Sequence, residues 1–382
     1  MQLPTLVSNL PTPCLLLDIN KLEANIKHLS EHIGALGGSL RPHVKTHKSI
    51  DVMRKVIEGG NTEGITVSTL KEADYFFENG VTDILYAVSI SPDKLSHVQH
   101  LMMAGCDLKI ILDNIDVAKL VASYGERNGI CFKVLIELDT DNHRSGVDPE
   151  GDELIEIAAI IDGSKGTSML GVMTHAGESY HCNTPESLLE ISHLERDRSV
   201  LAADRLKDVK LPCPVVSIGS TPTALSIDDL KGITEVRAGV YTFFDLVMAG
   251  VGVCQHKDIA LSVLASVIGF QHAKGWIITD GGWMALSRDR GTSGQTIDYG
   301  YGLVSTIDGH AVNNLIVRQA NQEHGILSNL TTVNSVRPAT LNIGSHVQVL
   351  PNHACSTASQ YSKYYVVDGD HVIAEWDRIN GW

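Results

Sequence analysis

Phe132-Lys-Val-Leu-Ile-Glu-Leu138 runs directly into Asp139-Thr-Asp-Asn-His-Arg-Ser-Gly146. The first stretch is a short, nearly continuous apolar run, the signature of a buried strand. The polar octapeptide after it cannot continue that strand. Runs of the same kind recur on both sides, at Ser39–Val44, Gly64–Ser68, Asp83–Val88, Leu108–Leu112, Ser168–Thr174, Pro214–Ile218 and Thr234–Ala238. Helical patterns lie between them at Thr69–Asn79, Pro92–Ala104, Ile115–Gly125 and Pro185–Leu206. An earlier helix is signalled by Asp18 and Asn20 as caps and by Leu22, Ile26, Leu29 and Ile33 on one face. Eight strand-and-helix repeats point to a (β/α)8 TIM barrel. A doubly wound open sheet is the competing arrangement, but its Gly-rich first turn is missing.

The texture changes near Gly250-Val-Gly252. Ala260–Phe270, Gly275–Asp280, Leu303–Ile307, Asn314–Gln319, His346–Leu350, Tyr364–Val367 and His371–Trp376 read as strands separated by turns. The expected division is therefore a barrel with an N-terminal segment over residues 1–250 and a C-terminal β-domain over 251–382. The 30 Lys and Arg against 45 Asp and Glu leave a formal net charge of −15, which disfavours nucleic acid and anionic membranes as partners. No apolar run is long enough to span a bilayer. The start at Met1-Gln-Leu-Pro-Thr5 lacks the pattern of a signal peptide, and seven scattered cysteines without a CxxC pair read as cytoplasmic thiols.

Barrels carry their chemistry just after the strands. Gly219-Ser220-Thr221, with a helix starting behind it, can turn N–H groups and hydroxyls toward a phosphate, and Gly239 can complete the cup. Lys45, at the end of the first strand, has Arg41, His43 and His47 as sequence neighbours. Their charge would lower its pKa and suit it to a Schiff base. A phosphate cup and a Schiff-base lysine together point to pyridoxal phosphate, with Arg144 at the phenolic oxygen and His175 stacked on the ring. Tyr180, Arg237 and Tyr241 are further rim candidates, Arg237 for the pyridine nitrogen. In the second half, strand alternation would put His353 and Cys355 on one face, a nitrogen and sulfur pair suited to a divalent metal with open positions.

These residues carry a resemblance. Thr12-Pro-Cys-Leu-Leu-Leu-Asp18, Arg41-Pro-His-Val-Lys-Thr-His-Lys48, His143-Arg-Ser-Gly146, Thr174-His-Ala-Gly177, Gly219-Ser-Thr-Pro-Thr223 and Pro351-Asn-His-Ala-Cys355 resemble the alanine-racemase-like, fold-type III pyridoxal phosphate enzymes that act on D-3-hydroxy amino acids. That family includes D-serine dehydratases, D-threo-3-hydroxyaspartate dehydratases and D-threonine aldolases. Gly64-Ile-Thr-Val-Ser-Thr-Leu-Lys-Glu72, Glu235-Val-Arg-Ala-Gly-Val-Tyr241 and Asn321-Gln-Glu-His-Gly325 are similar to the hydroxyaspartate dehydratases in particular. The resemblance implies cofactor on Lys45, a divalent ion (Zn²⁺, or Mn²⁺ as a substitute) on His353 and Cys355, and a homodimer. The aldolases carry His-x-Asp where this chain has His-x-Cys. The implied activity is elimination from D-threo-3-hydroxyaspartate to oxaloacetate and ammonia, or from D-serine to pyruvate and ammonia. A retro-aldol lyase and a non-enzymatic cofactor-homeostasis protein are the alternatives. A second substrate carboxylate would need a cation, for which Arg41, Arg288 and Arg290 are all candidates.

Overall fold

The run 132–138 is a strand buried along nearly all its length, as a parallel barrel requires. The computed structural model describes residues 5–60, 62, 64–307, 311–331 and 341–382. Met1 to Pro4, part of the start read as lacking a signal peptide, lie outside the described residues. In chain order the strands are β1 (Cys14–Asp18), β2 (Ile65–Val67), β3 (Asp83–Ser89), β4 (Asp107–Leu112), β5 (Phe132–Leu138), β6 (Thr167–Thr174), β7 (Val215–Ile218), β8 (Glu235–Val236), β9 (Leu261–Gln271), β10 (Trp276–Thr279), β11 (Leu303–Ser305), β12 (Ala311–Ala320), β13 (Gly325–Asn329), β14 (His346–Leu350), β15 (Lys363–Asp368) and β16 (His371–Asp377).

The chain forms two units. One comprises His28–Lys45, Val56–Gly239 and Gly381–Trp382; the other comprises Met1–Lys27, Thr46–Lys55 and Val240–Asn380. In the first, β2 to β8 make one parallel sheet in sequence order. The segment 39–43 closes it: Leu40 bridges Val236 on one side and Thr62 on the other, and His43 bridges Thr66. Arg41 N–H donates to Val236 O at 2.8 Å, His43 N–H to Ala238 O at 2.8 Å, and Val44 N–H to Thr66 O at 2.9 Å. The eight-stranded barrel is therefore present. Its first strand is a bridged segment rather than a full ladder because Pro42 has no N–H to donate. Leu85, Ile111, Leu135 and Met173, from four successive strands, pack in one buried cluster. Between the barrel runs, two helices were not anticipated, Ile50–Glu58 and Asp152–Asp162. The second buries Leu154, Ile157, Ala158 and Ile161 at helical spacing.

The other unit holds a nine-stranded sheet ordered β10-β13-β12-β11-β14-β9-β1-β15-β16, with β10 also paired to β9. The length of β9 makes this possible: Leu261–Leu264 pairs with β1, and the later part from Val267 pairs with β10. One expectation is corrected here. Cys14–Asp18, passed over ahead of the first helix, is a strand, and it pairs with β9 and β15 rather than with the barrel. Contacts gather the N-terminal strand with the chain from Val240 onward in this unit.

Candidate functional site

The barrel unit gathers several of the candidate polar residues at the C-terminal ends of its strands. Lys45 lies exposed beyond the closing segment, its backbone N–H 3.4 Å from His43 Nδ1. His175 follows β6 and donates its Nδ1–H to Gly219 O at 3.0 Å. Burial, then the charges of Lys45 and Arg144, pull the His175 pKa down to about 3. The ring is therefore neutral, with a lone pair on Nε2. The Tyr180 ring lies 6.1 Å from it, centroid to centroid. Arg144, in the loop after β5, places a guanidinium nitrogen 3.8 Å from Oε1 of buried Glu137. Arg237, buried just past β8, donates to the carbonyl of Thr174 and to Ser217 Oγ at 3.3 Å.

The loop after β7 departs from the expected cup in detail. Gly219 has φ +137°, and a Cβ there would stand 2.0 Å from Arg237 O, so only glycine permits the two loops to approach this closely. Its N–H donates to Glu195 Oε1 at 2.9 Å. Ser220 caps the helix Thr221–Ser226 in a capping box with Thr223, and its hydroxyl lies 2.8 Å from Ser179 Oγ. Two of the N–H groups read as phosphate donors, those of Gly219 and Ser220, are thus satisfied inside the protein. Thr221 and Gly239 are buried at the same end of the barrel strands. Tyr241 belongs to the other unit, in a turn at Val240–Thr242, where burial pushes its phenol pKa up.

The charges expected around Lys45 are corrected as well. Arg41 points to the start of the strands: it is 5 % exposed, with Nε 2.7 Å from Glu235 Oε2 and a second nitrogen 2.6 Å from Asp83 Oδ1. Burial above all depresses the pKa of both His43 and His47, so neither is a cationic neighbour. Arg144 and Arg237 supply the positive charge felt at His175 alongside Lys45.

In the other unit, His353 and Cys355 do not alternate on a strand. His353 is the extended residue that begins the short helix Ala354–Ala358, and Cys355 lies in its first turn, 3.3 Å from Thr46 Oγ1. His353 donates Nδ1–H to Asp289 Oδ2 at 2.7 Å, and Ser356 Oγ donates to the same oxygen at 3.1 Å. Ala354 N–H, between the two candidate ligands, donates to Asp245 Oδ2 at 2.9 Å, and Met248 N–H to Asp245 Oδ1 at 2.9 Å. Burial pulls the His353 pKa down, but Cys355, Asp289 and Asp245 outweigh it and hold it well above the ordinary value. Surroundings that favour a proton on this ring also favour a cation beside it, and Asp289 on Nδ1 leaves Nε2 as the coordinating nitrogen. Among the described residues no three His, Cys, Asp or Glu side chains form a metal cage. The pair would leave positions open.

Asp289, Asp245 and Glu195 escaped the sequence reading. Asp289 sits between two arginines and reads as a solvated charge. Glu195 sits inside the helix Pro185–Asp208 among many other acids, yet it accepts N–H groups from Ala176 and Gly219 and so ties the loops after β6 and β7 together. No spacing in the sequence marks either contact.

Residues 17–247 match the family model "Alanine racemase, N-terminal domain", and residues 260–367 match "Putative serine dehydratase domain". The chain is 47% identical to D-threo-3-hydroxyaspartate dehydratase of Delftia sp. (strain HT23), over 98% of each chain. It is 30% identical to D-serine dehydratase of Dictyostelium discoideum, over 96% of each. The solved structure of the Delftia protein superimposes with a TM-score of 0.96, covering 99% of this chain and all of that one, and a variant of it is solved in a metal-free form. D-threonine aldolase from Filomicrobium marinum, 22% identical, shares the fold, with a TM-score of 0.83 over 99% and 97% of the two chains.

Proposed function

Because this chain belongs to the family of D-threo-3-hydroxyaspartate and D-serine dehydratases built on an alanine racemase N-terminal domain, we propose that it is a carbon–nitrogen lyase that converts D-threo-3-hydroxyaspartate to oxaloacetate and ammonia, and D-serine to pyruvate and ammonia. The observation that carries this reading is kinship over almost the whole chain to a dehydratase, in a chain that has a Schiff-base lysine candidate and a His-x-Cys pair held by carboxylates.

The residues present fit both implied groups. Gly219 lets the loops after β7 and β8 close on each other, and a lysine, a neutral imidazole and two guanidinium groups gather at the same end of the barrel. Lys45 would hold pyridoxal phosphate, with His175 against its ring and Arg144 at the phenolic oxygen. Tyr180, Gly219, Ser220, Thr221, Gly239 and Tyr241 are assigned to the phosphate and the walls, and Arg237 to the pyridine nitrogen, where a cation disfavours ring protonation. The cofactor supplies an electron sink for charge left at Cα. His353 and Cys355 would hold Zn²⁺ as the ion best suited to one nitrogen and one sulfur, with Mn²⁺ a substitute; it supplies a Lewis acid for the β-hydroxyl.

The protein's own groups then have defined tasks. Lys45 Nζ takes the Cα proton as general base. Glu137 steadies Arg144, and Glu195 keeps the Ala176 and Gly219 backbones in place. Asp289 keeps the proton of His353 on Nδ1. Seven free cysteines support a reducing, cytoplasmic setting, and the net charge of −15 supports a small-molecule partner rather than nucleic acid. No helix among the described residues is long and apolar enough to cross a membrane. A homodimer is the proposed assembly.

The test is a panel of D-serine, D-threonine and the four 3-hydroxyaspartate isomers, assayed for ammonia and 2-oxo acid. Release of both from the D-threo isomer supports the reading. Glycine and an aldehyde from D-threonine, without ammonia from any substrate, would overturn it.

A further inference from the structure

A substrate with two carboxylates needs a cation near the carbon that bears the hydroxyl, because in 3-hydroxyaspartate the hydroxyl and the second carboxylate share that carbon. Arg41 is excluded, since Glu235 and Asp83 engage it at the opposite end of the barrel strands. Arg290 is engaged as well: a terminal nitrogen lies 2.8 Å from Asp298 Oδ2, and its guanidinium sits 5.1 Å from the Tyr301 ring centroid. Arg288 differs from both. It is exposed and pairs with no carboxylate among the described residues. Its guanidinium lies 4.9 Å from the Trp283 ring centroid, which holds a planar cation without neutralising it.

The position of Arg288 follows from the loop that carries it. Asp289, the next residue, holds His353 Nδ1 at 2.7 Å. Asn352 Nδ2 donates to Asp289 O at 3.1 Å, and Thr357 Oγ1 donates to Leu286 O at 2.8 Å. The loop is thus tied on both sides of Arg288 to the segment that bears the two candidate metal ligands. We propose that Arg288 is the specificity-determining residue that receives the second carboxylate of 3-hydroxyaspartate. This assignment rests on the dehydratase reading above. The planar guanidinium, backed by indole on one face, offers paired N–H donors to a carboxylate.

Wild type, Arg288→Gln and Arg288→Lys are compared for kcat/KM on D-threo-3-hydroxyaspartate and on D-serine. The glutamine variant is expected to lower the ratio of the first to the second about 10- to 100-fold, mainly through KM, and lysine to restore part of it. Inhibition of D-serine turnover by D-aspartate and D-alanine, which carry no β-hydroxyl to lose, gives a readout independent of elimination. Arg288→Gln should weaken D-aspartate far more than D-alanine. Equal falls on both substrates, or an unchanged ratio with unchanged D-aspartate inhibition, would overturn the assignment. A wild type inert toward both substrates would instead overturn the dehydratase reading, and the Arg288 role with it.

Discussion

The two constellations are built in opposite ways. In the barrel unit, Lys45, Arg144, His175, Gly219 and Arg237 come from separate loops, brought to one end by the parallel strands. In the other unit, His353 and Cys355 lie in one short stretch, and Asp289 and Asp245 reach it from elsewhere in the same unit. Both rely on buried or half-buried carboxylates that no motif announces. Glu195 accepts the backbone N–H groups of Ala176 and Gly219 and so sets the shape of two loops, whereas Asp289 bonds the imidazole itself and sets which nitrogen can coordinate. A dispersed site depends on the whole sheet, and a local one on a few contacts.

Four measurements would break or sharpen this contrast. The largest effect is expected in the barrel, where Lys45→Ala should remove the visible absorbance of the bound cofactor and lower turnover by roughly 10²- to 10⁴-fold. Full activity with the absorbance retained would break the assignment. Next, the dispersed site should feel damage at the far end of its strands. Glu235→Ala takes one carboxylate from buried Arg41 and should cost about 3 kcal/mol by denaturant unfolding, with cofactor retention falling in parallel. Unchanged stability would show that the barrel does not depend on that pair.

For the local site, Asp289→Asn should weaken metal affinity about 10- to 100-fold, read by chelator competition, with little change in unfolding midpoint. A large stability loss at unchanged metal affinity would make Asp289 structural instead. The smallest effect is a pH dependence. Burial raises the Asp83 carboxyl, but Arg41 and Lys109 outweigh it, so its folded pKa lies below the unfolded value. Its contribution is therefore present above the ordinary aspartate pKa of about 3.9 and is lost as pH falls through the folded value. The difference in melting temperature between wild type and Asp83→Asn should shrink as pH drops below about 4. A difference that is constant with pH would remove Asp83 from the acid response.

How much was legible follows the same division. Buried parallel strands write themselves as apolar runs, so seven of the eight expected barrel runs reappear as strands within a few residues and the eighth as the closing segment. His353 and Cys355 were legible as a pair because the spacing is local, although a helix start rather than a strand sets their geometry. The strand Cys14–Asp18 was hidden because its partners, Leu261–Leu264 and Tyr365–Val367, lie far along the chain.

The sequence by itself determined the barrel, the β-rich second half, the family and the principal candidates Lys45, His353 and Cys355, because periodicity and short motifs are properties of neighbouring residues. Only the tertiary structure decided which charges act on which groups. It sent Arg41 to the opposite end of the strands, neutralised His43, His47 and His175 by burial, and recruited Glu195, Asp245 and Asp289. Desolvation and hydrogen bonding depend on what surrounds a group in space, and that is set by contacts between residues distant in the chain.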